Sequence, residues 1–431
     1  MEETLRFLSF SEPNVRFVVL GSIILGATAA IVGSFAFLRK RALIGDAISH
    51  SILPGVALAF MLSNVKNPLY LIIGALISGW ISLLLIDAIA RTTKLKSDAA
   101  IAIILSVFFG FGIVLLTHIQ QSGSASQSGL DHFLFGNAVS LMPQAILIFS
   151  SIGIFLILVV LLFFKEFKLL SFDIAYAKSI GLPIRFLEFC LSTITVLAVA
   201  VGIQAVGVVL MAALLITPAA GARFWTDNLK KMILIATAFG IFSAFIATYI
   251  SYIAPSMPTG PWVVVVLSVL AVFSIWFAPK KGLVARHKVR RGNRRKILNE
   301  NILKLFYHLG EEDESFMQGR SEEDLMAGRD FLPKQLKIGL KRLKHKSLIR
   351  QKGNNYIITQ NGFNEAKRVI RLHRLWEMYL NQRLKLEAEH VHNDAEAIEH
   401  IINDEIERQL EKDLSYPDFD PHQSKIPKYD K

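Results

Sequence analysis

Nine apolar runs crowd the first 279 residues of this 431-residue chain, near 15–38, 47–64, 69–90, 98–119, 143–164, 186–204, 206–224, 232–254 and 260–279. Each approaches the ~20 residues that an α-helix needs to cross a bilayer. In hydrocarbon the backbone can satisfy its own N–H and C=O groups only within a helix or a closed barrel, and uninterrupted runs of this length select helices. The expected fold is an all-α polytopic membrane bundle of about nine transmembrane helices over 1–279. At Lys280 the pattern stops. Residues 1–279 carry 16 Lys/Arg and 11 Asp/Glu, whereas residues 280–431 carry 31 and 24, the composition of an ordinary charged soluble region.

The basic residues give the orientation. Arg39, Lys40 and Arg41, then Arg91, Lys94 and Lys96, then Lys165, Lys168, Lys178 and Arg185, then Arg223, Lys230 and Lys231, and finally Lys280 and Lys281 fall at alternate connections. By the positive-inside rule these are cytoplasmic, with the N-terminus outside and the tail inside. The stretch 186–224 reads either as two spans or as one long helix plus a re-entrant piece. Lys230 and Lys231 require a return across the membrane in both cases. The lone cysteine, Cys190, lies in an apolar run, so neither a disulfide framework nor a Cys-based zinc site can form within one chain.

Two polar features interrupt the bundle. In DAISHSILPG at 46–55, Asp46 and His50 are four residues apart, hence one helical turn apart on one face. Carboxylate oxygen and imidazole nitrogen at that spacing can hold one divalent cation between them. The plainer reading is a helix-entry acid with a packed histidine. Ionisable groups inside membrane spans are costly and mark transport pathways, which favours the first. In SFDIAYAKSIGLP at 171–183, a short amphipathic helix closed by Gly181 and Pro183 lies between two spans on the cytoplasmic side. It suits either the grip of a partner protein or rest on lipid headgroups. The Ser/Gly/Gln-rich connection at 120–131 is an outside loop. No G-x-x-x-x-G-K-[ST] loop occurs, so ATP bound in the P-loop manner belongs to another subunit.

DAISHSILPG at 46–55, LFG at 134–136, AYAKSIGLP at 175–183 and LLITPAAGAR at 214–223 together resemble the permease subunit of manganese, zinc and iron ABC importers. That resemblance covers residues 10–279. It implies that Asp46 and His50 line the translocation path for Mn²⁺, Fe²⁺ or Zn²⁺. It implies that 171–183 is the coupling helix on a separate ABC ATPase, with Phe172, Ala175, Tyr176, Ser179 and Gly181 as contact residues. It further implies a second permease copy or a homologous permease, an extracytoplasmic metal-binding protein and a bacterial cytoplasmic membrane.

Residues 280–309 hold ten Lys/Arg against one acid, which suits a membrane-surface stop and a basic linker over 280–296. Helical spacing over 297–310, a helix opened by Ser321 over 321–328, a basic helix over 332–349 and a Gly-Asn-Asn turn within 350–362 outline a winged helix-turn-helix domain over 297–365. Phe331 to Tyr356 contains eight Lys/Arg and no acid. Lys334, Gln335, Lys337 and Lys341 are candidates for DNA contact, with a solvated or lipid-facing surface as alternatives.

RVIRLHRLWEMYL at 368–380 and the segment 390–427 resemble the iron- and manganese-dependent repressors of the diphtheria-toxin-repressor family. That resemblance implies a helical metal-binding and dimerisation domain over 366–431. His373 and Glu377 are i, i+4, and His392, Glu396, Glu399 and His400 lie on one or two turns; oxygen and nitrogen donors suit Mn²⁺ or Fe²⁺. The resemblance implies that Glu396, Glu399 and His400 form the main cluster, which His373, Glu377 and His392 complete. Glu396 stands where iron-type members carry Cys, a lean toward manganese. Asn301 and Lys304 stand where an acid ligand is expected, and Gln423 replaces a glycine. Two functions compete: a metal-importer permease with a metal-responsive cytosolic domain, and a membrane-anchored metal-dependent transcriptional regulator.

Overall fold

A computed structural model describes residues 2–39, 42–63, 67–121, 143–254, 257–384 and 404–428. The chain forms two compact units, Met1–Arg286 and His287–Lys431.

The first unit is entirely helical among its described residues: α1 (Glu2–Leu8), α2 (Pro13–Leu38), α3 (Ala42–Ser63), α4 (Pro68–Thr92), α5 (Ser97–Gln121), α6 (Pro143–Leu162), α7 (Phe164–Phe172), α8 (Ile174–Ser179), α9 (Ile184–Val206), α10 (Val208–Arg223), α11 (Leu229–Ile253) and α12 (Thr259–Phe277). Pro13 and Pro68 sit in the first turn of α2 and α4, where a missing N–H costs nothing. Asn67 and Asn228 cap α4 and α11 by accepting from the Leu69 and Lys231 amides. Helix α2 is central, packed on α11, α10, α6 and α9, while α3 packs on α4 and α5.

Small residues let these helices touch backbone to backbone. A Cβ added at Gly55 would stand 2.1 Å from the Gly74 carbonyl oxygen, and one at Gly33 would stand 1.7 Å from that of Leu215. Lipid tails are as apolar as leucine, so close packing of this kind rather than the hydrophobic effect holds membrane helices together.

Among the described residues, eight helices are long and apolar enough to cross a membrane. The count of nine is not reached, because the expected span 206–224 is the 16-residue α10. At ~1.5 Å per residue it covers about 24 Å of a ~30 Å hydrocarbon core. The cause is Gly207, whose φ of 94° ends α9 and begins α10 in one residue. A side chain there would be strained.

The second unit runs α13 (Leu283–Glu312, which begins at the end of the first), α14 (Glu322–Gly328), α15 (Pro333–His345), β1 (Ile349–Lys352), β2 (Asn355–Ile358), α16 (Gln360–Leu384) and α17 (Asp404–Asp413). Strands β1 and β2 are antiparallel from Ile349↔Ile358 to Lys352↔Asn355, and Gly353, at φ 63°, makes the turn. Arg320 adds a bridge to Tyr356, with each amide donating to the other's carbonyl at 2.8 Å. This is the helix, helix, basic helix, wing order read from the sequence. Ser321 caps α14 in a reciprocal box with Asp324. Ile302, Leu303, Phe306, Leu325, Leu336, Leu340, Ile349, Ile358 and Ile370 form one core, and Leu375, Leu410, Leu414 and Ile426 form a second, smaller one. Residues 283–296, expected as a linker, are helical.

Candidate functional site

Asp46 and His50 meet on α3. The His50 Nε2 lies 3.5 Å from the Asp46 Oδ1, with the histidine side chain 15 % exposed and the aspartate 41 %. Phe109 of α5 stands edge-on to the imidazole at 4.8 Å between centroids, fixing its plane. Among the described residues the buried His50 Nδ1 has no hydrogen-bond partner. Pro54 supplies no amide to the helical ladder, so the His50 carbonyl loses its i+4 donor. An imidazole and a carboxylate therefore sit together in a mostly apolar wall. Among the described residues no three His, Cys, Asp or Glu side chains gather in one place, and this pair offers two protein ligands to a cation.

The short helix α8 lies where expected. Asp173 caps it by accepting from the Tyr176 amide at 2.8 Å. The Leu182 amide donates to the Ala177 carbonyl and the Gly181 amide to that of Lys178, with Gly181 at φ 80°. This αL closure satisfies the last carbonyls inside the turn. Ala177 is wholly buried and pins the helix. Phe172, Ala175, Tyr176, Ser179 and Gly181 are all exposed. Sequence reasoning missed Ile174 and Ile180, two more large apolar side chains about half exposed beside Phe172 and Tyr176. Their alternation with polar neighbours was the available signal.

On α15, Leu336, Gly339, Leu340 and Leu343 face the core. Lys334, Gln335, Lys337 and Lys341 therefore face outward, all exposed. Lys337 has a partner in Glu322 at 3.7 Å.

On α16, the His373 Nε2 lies 2.9 Å from the Glu377 Oε1, both side chains nearly fully buried. An imidazole nitrogen and a carboxylate oxygen at that separation fit a hard or borderline divalent ion. His392, Glu396, Glu399 and His400, as well as LFG at 134–136 and most of the loop 120–131, lie outside the described residues. Lys304 is 3 % exposed. Its charge, with those of Arg374 and His373, reaches His308, a residue the sequence reading did not single out. Burial, reinforced by those cations and opposed by Glu311, pushes the His308 imidazole down to about 4. It is a neutral donor at physiological pH, next to a region where the sequence offers Asn301 and Lys304 in place of acids.

These features define a polytopic transport permease joined to a helical repressor-type domain. Residues 11–278 match the ABC 3 transport family, and residues 359–428 match the metal binding and dimerisation domain of iron dependent repressors. The chain belongs to the ABC 3 transport family. Over 381 residues it is 40 % identical to the manganese transport system membrane protein MntC of Bacillus subtilis, covering 88 % of this chain and 87 % of that one. It is 40 % identical to the zinc transport system membrane protein TroC of Treponema pallidum over 68 % of this chain and 97 % of that one. Among solved structures, PsaBC from Streptococcus pneumoniae in complex with Fab matches with a TM-score of 0.58 at 32 % identity, covering 64 % of this chain and 97 % of that one.

Proposed function

We propose that this chain is the membrane permease of an ABC importer for divalent transition metal, with manganese as the first substrate to test and zinc and iron next. The observation that carries the reading is the Asp46–His50 pair at 3.5 Å inside a membrane helix of an ABC 3 transport family member. The cation is cargo. Two protein ligands bind it weakly enough to release it, which a path requires and a structural site does not. His50, held by Phe109, and the half-exposed Asp46 exchange the ion's water for protein donors and then give it up.

A separate ATPase supplies the energy and docks on α8 through Phe172, Tyr176 and their exposed neighbours. An extracytoplasmic metal-binding protein delivers the ion, and a second permease copy or a homologue completes the path. The protein resides in the bacterial cytoplasmic membrane with its tail in the cytoplasm, as the basic connections direct. In the tail, Glu396, Glu399 and His400, completed by His373, Glu377 and His392, hold a regulatory Mn²⁺ or Fe²⁺. The domain divisions 1–279, 280–296, 297–365 and 366–431 follow from the same reading.

The test is uptake of radioactive Mn²⁺ into cells expressing the whole complex. Asp46→Ala and His50→Ala should each abolish uptake while the complex assembles and its ATPase turns over. Uptake that persists without the ATPase, or in both variants, overturns the proposal.

The outward basic face of α15 supports a second reading, a membrane-anchored regulator that binds DNA through Lys334, Gln335, Lys337 and Lys341. Salt-dependent, sequence-selective binding of duplex DNA by the full-length chain in nanodiscs, with and without Mn²⁺, separates the two. Binding indifferent to sequence leaves the tail as a regulator of transport alone.

A further inference from the structure

The first part of α13 is an exposed cationic rod. From 286 to 296 it carries Arg286, Lys288, Arg290, Arg291, Arg294, Arg295 and Lys296, every one exposed, and no acid occurs between Lys280 and Asn299. The first acid that follows, Glu300, is buried and takes Lys296 at 3.7 Å and Arg368 at 3.8 Å. Arg286, Arg290 and Arg294 stack one turn apart, and Arg291 and Arg295 form a second row beside them. Ala285, Val289, Gly292 and Lys296 fall on the other side, where Lys296 is taken by Glu300. Like charges four residues apart oppose helix formation, and no apolar stripe covers this stretch to compensate. Such a helix calls for a polyanionic surface laid along it.

Its position in the chain says which surface. Leu283 follows Phe277, the end of the last long apolar helix, by six residues. Six residues reach about 20 Å at most, so the cationic rows begin within reach of the headgroup layer. A flat anionic surface can meet both rows at once over their full length.

We propose that residues 286–296 dock on the anionic phospholipid headgroups of the inner leaflet, and that this contact holds the first half of α13 helical. The proposal rests on the reading of residues 1–279 as a membrane permease. The attraction is electrostatic, so it follows the fraction of anionic lipid and weakens with salt.

The full-length chain is reconstituted into vesicles of phosphatidylcholine alone or of phosphatidylcholine with phosphatidylglycerol, and amide exchange is followed over 259–277 and 286–297. Exchange over 286–297 should slow about tenfold in the anionic vesicles, and high salt should reverse it. A variant with Arg286→Gln, Arg290→Gln, Arg291→Gln, Arg294→Gln and Arg295→Gln keeps the helix propensity and should lose the slowing. Equal exchange in the two lipids, or slowing that persists in the variant, overturns the proposal while protection of 259–277 leaves the permease reading standing. Slowing by added duplex DNA in place of phosphatidylglycerol also overturns it. Exchange over 259–277 as fast as in open chain overturns the membrane reading itself.

Discussion

Arg374 of α16 holds Glu311 of α13 in a two-point grip, its Nη1 donating to Oε1 at 3.0 Å and its Nη2 to Oε2 at 2.7 Å. The guanidinium is buried, and it also reaches Asp420 at 3.4 Å and the Lys425 carbonyl at 2.5 Å. One side chain thus ties α13 to the segment 420–425 that follows α17. Glu311→Ala leaves a buried cation short of a partner. Glu311 is itself about one-third exposed, so the loss of tail stability should be about 2 kcal/mol rather than the larger value of a fully buried pair. Faster amide exchange over 366–380 in the full-length protein reports it, and no change beyond that of an exposed Glu→Ala refutes it.

The pH response of the tail follows from His308. In the unfolded chain its imidazole titrates near ~6.5. In the folded tail burial, then Lys304, Arg374 and His373, hold it neutral down to about 4, with Glu311 opposing. Between those values the unfolded state binds the extra proton. Stability therefore falls as pH drops from about 6.5 to about 4, and this group adds no slope above that window. His308→Gln should flatten that part of the stability–pH curve measured in chelator, and an unchanged slope assigns it to other groups.

The crossing of α3 and α4 tolerates no side chain at its centre. A Cβ at Gly74 would stand 2.3 Å from the Gly55 carbonyl oxygen. Gly74→Val should separate the helices that position Asp46 and His50, so both folded yield and uptake fall. Folded yield is read by monodispersity in detergent. Gly110, whose added Cβ would meet nothing within 4 Å, is the control and should accept alanine.

For α8, Tyr176→Ala and Phe172→Ala remove apolar surface that is about half exposed among the described residues. Each should cost about tenfold in affinity for the ATPase, on the order of 1.4 kcal/mol, with little change in permease stability. Pull-down of the ATPase at graded concentrations measures it. A loss of stability instead would make these residues part of the fold.

The long spans, the Ser321 cap, α15 with its basic face, and the placement of Asp46 and His50 on one helix were all legible in the sequence, because each rests on periodicity or a cap within a few residues. Three features were not. Gly207 ends α9 through a positive φ, and an isolated glycine between apolar residues does not announce its φ. Residues 283–296 lack an apolar stripe, so helical period gives no signal where no face is buried. His308 drew no notice because two of the charges that depress it, Arg374 and His373, come from α16, more than sixty residues further along the chain.

The closure of α8 bears on how an importer can cycle. The Lys178 and Ala177 carbonyls are taken by the Gly181 and Leu182 amides, so a partner arriving at this face finds those two main-chain groups already satisfied. On the docking reading proposed above, what changes hands is apolar contact from Phe172, Ile174, Tyr176 and Ile180, each about half exposed. A joint of that kind would pass a push without its closing turn being rebuilt at each stroke.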